Sequence, residues 1–198
     1  MLDEYSPDWI GRAGLDLGPG YCITIALAIS STEALRRAGV PGVLPRVYDA
    51  LRREARLLGG DYVPVAAFDV GGHAVLVEEN GGMGLYRWGG PLSMGTVAVT
   101  AYLSPSSGAE RLVITRDGAA VAEVDADEPE VVRTDDPALR EVLLALVADA
   151  FQPFEDEDDP DADGMPDLLR VACEYVGIHP SVHDVAVPAP GAPVRFTA

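Results

Sequence analysis

Five residues toward the C-terminal end could hold a metal ion. Asp159, Asp161, Asp163, Met165 and Asp167 fall in the run Asp-Pro-Asp-Ala-Asp-Gly-Met-Pro-Asp. Carboxylates at alternate positions can turn toward one cation. Gly164 permits the sharp bend of a calcium loop, and Met165 can offer its main-chain carbonyl. Asp167 stands at the ninth position of such a loop. The twelfth, where a bidentate glutamate completes the coordination, is Arg170. Calcium is the one cofactor the sequence suggests, set against the ordinary reading of an acid run as a solvated linker. Equal melting temperatures in excess calcium and in chelator would rule it out.

Covalent chemistry has fewer supports. Cys22 and His73 could act as nucleophile and base, but their spacing does not require them to meet, and Cys22 lacks the flanking residues of a cysteine hydrolase. A structural histidine and a buried thiol are the plainer reading, and Cys173 reads the same way. Ser93 has Pro91 where a nucleophile elbow needs glycine. His179 and His183 are separated by Pro180, which breaks the helix that would align them. The glycines at 81, 82 and 84 precede no long helix, so they do not form a dinucleotide loop. No catalytic motif emerges, and the expectation is a protein that is not an enzyme.

Charge points elsewhere. The chain carries 32 acidic and 14 basic residues, a formal net charge of −18. All the basic residues are arginine, so Schiff-base chemistry and a phosphate-loop lysine are excluded. Such charge argues against nucleic acid and for a basic protein partner. Two clusters would supply the surface. One holds Glu123, Asp125, Asp127, Glu128 and Glu130; the other holds Glu155, Asp156, Glu157 and Asp158. The rival is that the charge serves only solubility or adaptation to a salty host.

The elements that must position these groups can be read in order. Hydrophobic residues make up 48% of the 198, enough for a core. No apolar run reaches the ~18 residues of a membrane span. The N-terminus lacks the pattern of a secretory signal, which leads to an expected cytoplasmic location. Tyr21–Ile29 reads as a buried strand. Ser30 and Glu33 form a capping box for a helix that Gly39 ends. A second helix is expected with Pro45 in its first turn and Leu44, Val47, Leu51 and Leu58 as its apolar stripe. Val63–Val70 and Ala74–Glu79 read as strands joined at Gly71-Gly72, followed by an Asn80-Gly81 turn. Leu85–Trp88 reads as a short strand and Gly89-Gly90-Pro91 as a loop. Thr96–Leu103, Arg111–Thr115 and Ala120–Val124 are further strands, the last two joined by Arg116-Asp117-Gly118. Asp136 and Pro137 open a helix with Leu139, Val142, Leu143, Leu146, Val147 and Ala150 inward. Leu168–Val176 is a helix stopped by Gly177.

The order of these motifs resembles an uncharacterised bacterial domain family common in high-GC filamentous soil bacteria. The likeness lies in Asp8-Trp9, in Tyr21-Cys22 with the strand and helix ending Arg36-Arg37-Ala38-Gly39, and in Gly71-Gly72 before Val75–Glu78 and Asn80-Gly81. It continues in Leu92-Ser93-Met94-Gly95-Thr96, Arg116-Asp117-Gly118, Asp136-Pro137 with Leu139, and Ala172–Ile178. His73 departs from it, standing where the family has tryptophan, and the acidic loop is an insertion. The resemblance implies an α+β fold without an established activity, nearer to immunity or accessory proteins than to enzymes.

The expected architecture is α+β: a single antiparallel sheet of about five to seven short strands, packed by about four helices. Residues 1–152 form the core domain, 153–167 the acidic loop, and 168–198 a C-terminal helix and extended tail packing on the core.

Overall fold

A computed structural model describes residues 15, 20–152, 165–185 and 188–196. Among them is one eight-stranded antiparallel sheet with helices on both faces.

The strands of the sheet are β1 (Tyr21–Ala26), β2 (Leu44–Arg46), β3 (Tyr62–Val70), β4 (His73–Glu79), β5 (Val97–Leu103), β6 (Glu110–Arg116), β7 (Ala119–Asp125) and β10 (Ala189–Arg195). A separate ribbon pairs β8 (Phe151–Gln152) with β9 (Met165–Pro166). The α-helices are α1 (Ser31–Arg37), α2 (Tyr48–Leu58), α3 (Gly89–Ser93), α4 (Pro137–Asp149), α5 (Leu168–Val176) and α6 (Val182–Val185). A π-helical turn, Gly84–Trp88, leads directly into α3. The α+β class and the single main sheet stand as expected. The described strands and helices outnumber those expected.

The sheet order is β2-β10-β3-β4-β1-β5-β6-β7. Period-two alternation splits its side chains between two cores. Ile23, Ile25, Val75, Val77, Val99, Leu112 and Ile114 face α2, α4 and α5. Ala26, Leu76, Val65 and Ala98 face α1 and the π-turn with α3, where Leu35, Met83, Trp88 and Leu92 are buried.

The local signals that proved sufficient are short-range ones. Ser30 accepts from Glu33 N–H, although the Glu33 carboxylate turns to Arg36 and Arg37 instead of completing the capping box. Gly71 and Gly72 at φ 57° and 85° make the two-residue β3–β4 turn, as Asp117 and Gly118 at 48° and 89° do for β6–β7. Asp136 caps α4 by accepting from Ala138 and Leu139 N–H. Within α4, Val142 is exposed, and the buried stripe is Leu139, Leu143 and Val147.

Four further expectations need correction. Pro45 lies in β2, not in a helix, because Leu44–Arg46 pairs with β10. The α2 stripe is Tyr48, Leu51, Arg52 and Ala55, while Leu44, Val47 and Leu58 are exposed. Leu85–Trp88 is a π-turn and not a strand, and Gly89-Gly90-Pro91 is helical. Burial of Trp88 and Leu92 against the sheet overrides the β-propensity of Leu85, Tyr86 and Trp88. The Pro-rich β10 is inserted between β2 and β3, with Pro190 opposite Pro45 and Pro193 opposite Pro64. A side chain at Gly191 would meet Leu51 Cδ1 at 2.6 Å, so its absence lets α2 seat on the strand.

Candidate functional site

The acidic segment after β7 builds an open groove at the sheet edge. From Glu123 to Glu141 the sequence holds eight acids and two arginines. β7 carries a register shift: Ile114 pairs with Ala122 and Thr115 with Ala120, leaving Val121 as an extra residue. The chain then returns alongside, and Glu123 and Arg133 exchange two backbone hydrogen bonds at 3.0 and 2.9 Å. Thr134 Oγ1 donates to the Val121 carbonyl at 2.7 Å and accepts from Asp136 N–H at 3.2 Å, which fixes the start of α4. Between bulge and helix lies a cavity of about 600 Å³. Its floor is Val121, Ala122 and Leu139; Arg116, Glu123 and Asp135 are among the charged residues lining it.

The arginines here hold the segment together. Arg133 pairs with Glu128 at 2.7 Å and lies 3.9 Å from Glu123; Arg111 lies 3.4 Å from Asp125 and 4.0 Å from Glu123. Arg140 donates to the Val132 and Thr134 carbonyls. Glu123, Asp125 and Glu128, expected as partner-binding residues, are thus brought together on internal ion pairs. Among the described residues, Asp127, Glu130, Asp135 and Glu141 make no ion pair and are exposed. Glu155, Asp156, Glu157 and Asp158 lie outside the described residues.

So do Asp159, Asp161 and Asp163 of the expected calcium loop. Met165 belongs to β9, and Asp167 caps α5, accepting from Arg170 N–H at 2.9 Å. No group of three or more His, Cys, Asp or Glu suited to a metal ion occurs among the described residues.

Cys22 and His73 are not brought together. Cys22 stands opposite Glu78, and His73 lies five residues before Glu78 on β4, about 16 Å away at ~3.3 Å per residue. His73 Nδ1 accepts from Ala28 N–H at 2.9 Å and braces a turn where Ala28 has φ 53°. Ser93 Oγ donates to the Gly90 carbonyl and accepts from Gly118 N–H, so it ties α3 to the β6–β7 turn. Cys22 is fully buried, and burial together with the Glu78 carboxyl pushes its thiol pKa well up. Burial raises Cys173 to about 12.

Two carboxyl sites were not anticipated from sequence. Glu78 is wholly buried and accepts from Met83 N–H at 2.9 Å and Gly84 N–H at 2.8 Å. Burial lifts its pKa to about 7 against the pull of those two donors and the Cys22 thiol. Thr24 and Thr100, 3.0 Å apart, continue the polar layer. β4 is apolar on both faces, so alternation alone does not separate Glu78 from its neighbour Glu79, and only the assembled sheet shows which of them is cut off from water. Glu110 accepts from Tyr21 Oη at 2.9 Å and from Leu168 N–H at 3.2 Å, at the start of α5. Burial first, then the charge of Asp167, raises it to about 7. No sequence signal marks that pairing, which spans 58 residues.

No helix among the described residues is long and apolar enough to cross a membrane. The chain matches no protein-family model, no curated protein and no solved structure.

Proposed function

We propose that this chain is a non-catalytic acidic binding protein, of the immunity, inhibitor or accessory type, that engages a basic protein partner. The observation carrying this reading is the set of exposed acids Asp127, Glu130, Asp135 and Glu141 without internal ion pairs, of which Asp135 lines an open groove that Val121, Ala122 and Leu139 also line. A polar rim around an apolar floor is the usual anatomy of a protein interface. The acids would steer a basic partner and raise its rate of encounter, an effect screened by salt over about 10 Å at 0.1 M ionic strength. Glu123, Asp125 and Glu128 would shape the surface through their arginines, leaving the four unneutralised acids to carry the attraction.

The test uses the immobilised chain and lysate of the native host. Beside it runs a variant carrying Asp127→Asn, Glu130→Gln, Asp135→Asn and Glu141→Gln. A basic protein retained by the unmodified chain at low salt, released at high salt and not held by the variant is the expected result. Bait that is empty at both salts, or equal retention by the variant, refutes the reading.

A further inference from the structure

We propose that Glu78 is the catch of a proton-linked latch: ionisation of its carboxyl group releases the Gly81–Trp88 segment that seals it from water. The geometry is that of a closed cover. Gly81, Gly82, Met83 and Gly84 are buried over the carboxyl group, while Tyr86 and Arg87 face solvent. The cover can lie this close because it is glycine-rich. A side chain at Gly81 would meet Glu78 Oε2 at 2.5 Å, and one at Gly84 would meet Thr24 Oγ1 at 2.1 Å. The cover is held to the carboxyl group by the Met83 and Gly84 amides, and from outside by the edge-on Tyr86–Tyr102 pair at 6.2 Å. Single π-turns such as Gly84–Trp88 recur where a helix must adjust locally.

Around Glu78 there is no compensating cation among the described residues. From β1 it meets the Cys22 thiol, with Tyr102 of β5 in register behind it. From β3 it meets Val65. The π-turn adds Tyr86 and Arg87, both exposed. On the far face of the sheet, Glu79 is paired to Arg52 at 2.7 Å, and Tyr48 lies near that pair. Two backbone amides are thus the main compensation for a carboxylate cut off from water, and a buried charge without a counter-ion favours any state that hydrates it.

The sign follows from linkage. In the closed state the carboxyl group titrates near 7, against 4.5 when hydrated. Closure is therefore strongest below pH 4.5 and is lost as pH rises through 7. Between pH 5 and pH 9 the open population should rise by roughly a hundredfold, since each unit between the two titrations is a factor of ten.

Amide hydrogen exchange of the full chain across that range tests the latch, with rates corrected for intrinsic base catalysis. Protection at Met83 and Gly84 should fall by up to about a hundredfold and lie, at every pH, below that of Leu112 and Ile114 in β6, which exchange only through global unfolding. Glu78→Gln should flatten the Met83 and Gly84 profiles. A flat Met83 and Gly84 profile in the unmodified chain, or protection there equal to that of Leu112 and Ile114 at every pH, overturns the proposal. Should Glu78→Gln not fold, the comparison within the unmodified chain decides it alone.

Discussion

Replacing Glu110 by glutamine should leave the protein's stability nearly unchanged at pH 5 and increase it at pH 8. Glu110 uses Oε1 for both of its acceptor roles, from Tyr21 Oη and Leu168 N–H. An amide oxygen can keep both bonds. The amide nitrogen would then occupy the place of Oε2, in the neighbourhood of Asp167, whose buried Oδ2 has no hydrogen-bond partner. The carboxyl group titrates near 7 in the folded chain against an ordinary 4.5. A raised pKa means that its contribution is complete below 4.5 and is lost as pH climbs through 7. At about 1.4 kcal/mol per pH unit between the two titrations, the ceiling on that loss is roughly 3 kcal/mol, of which roughly 2.5 falls between pH 5 and pH 8. The amide escapes it. For a chain of this size about 1 kcal/mol moves Tm by about 2–4 °C, so the Tm advantage of Glu110→Gln should grow by roughly 5–10 °C from pH 5 to pH 8. Thermal melts followed by circular dichroism at the two pH values measure it directly. The Glu78 contribution is common to both proteins and cancels. An advantage that is independent of pH, or a variant destabilised equally at both values, would refute the account of Glu110 as a carboxylate strained by burial and by Asp167.

Gly84→Ala should cost at least about 1–3 kcal/mol, since overpacking forces the sheet or the cover to shift; its Cβ would stand 2.1 Å from Thr24 Oγ1 and 2.9 Å from Cys22 Sγ. Urea denaturation with an unchanged m-value checks this. Arg52→Ala removes the partner of Glu79 in an ion pair whose side chains are only 10% and 11% exposed. Leaving that carboxylate unpaired should cost about 3 kcal/mol. The double variant Arg52→Ala, Glu79→Gln should recover part of the loss; failure to recover any would mean that Arg52 acts chiefly through its packing.

Much of the architecture was legible in the chain because the signals were local. A cap such as Asp136-Pro137, a stop such as Gly177 and a turn such as Asp117-Gly118 each depend on a few neighbouring residues and on φ values that few residue types accept. Alternation along β5 likewise reported which side of the sheet each of its residues faces. What distant partners decided could not be read this way. Leu44–Arg46 looked helical because Pro45 suits a first turn, yet its backbone is claimed by β10, more than 140 residues away. Leu85–Trp88 had strand propensity, but the burial of Trp88 and the close approach of Gly84 to Thr24 made it a π-turn. The same division runs through the chemistry. The sequence by itself determined the charge and the absence of lysine. Only the tertiary structure decided which acids are neutralised by arginines, that Cys22 meets Glu78 and not His73, and that Glu110 sits at the start of α5. Ion pairing and desolvation depend on distances between segments, and those distances exist only once the sheet has been assembled.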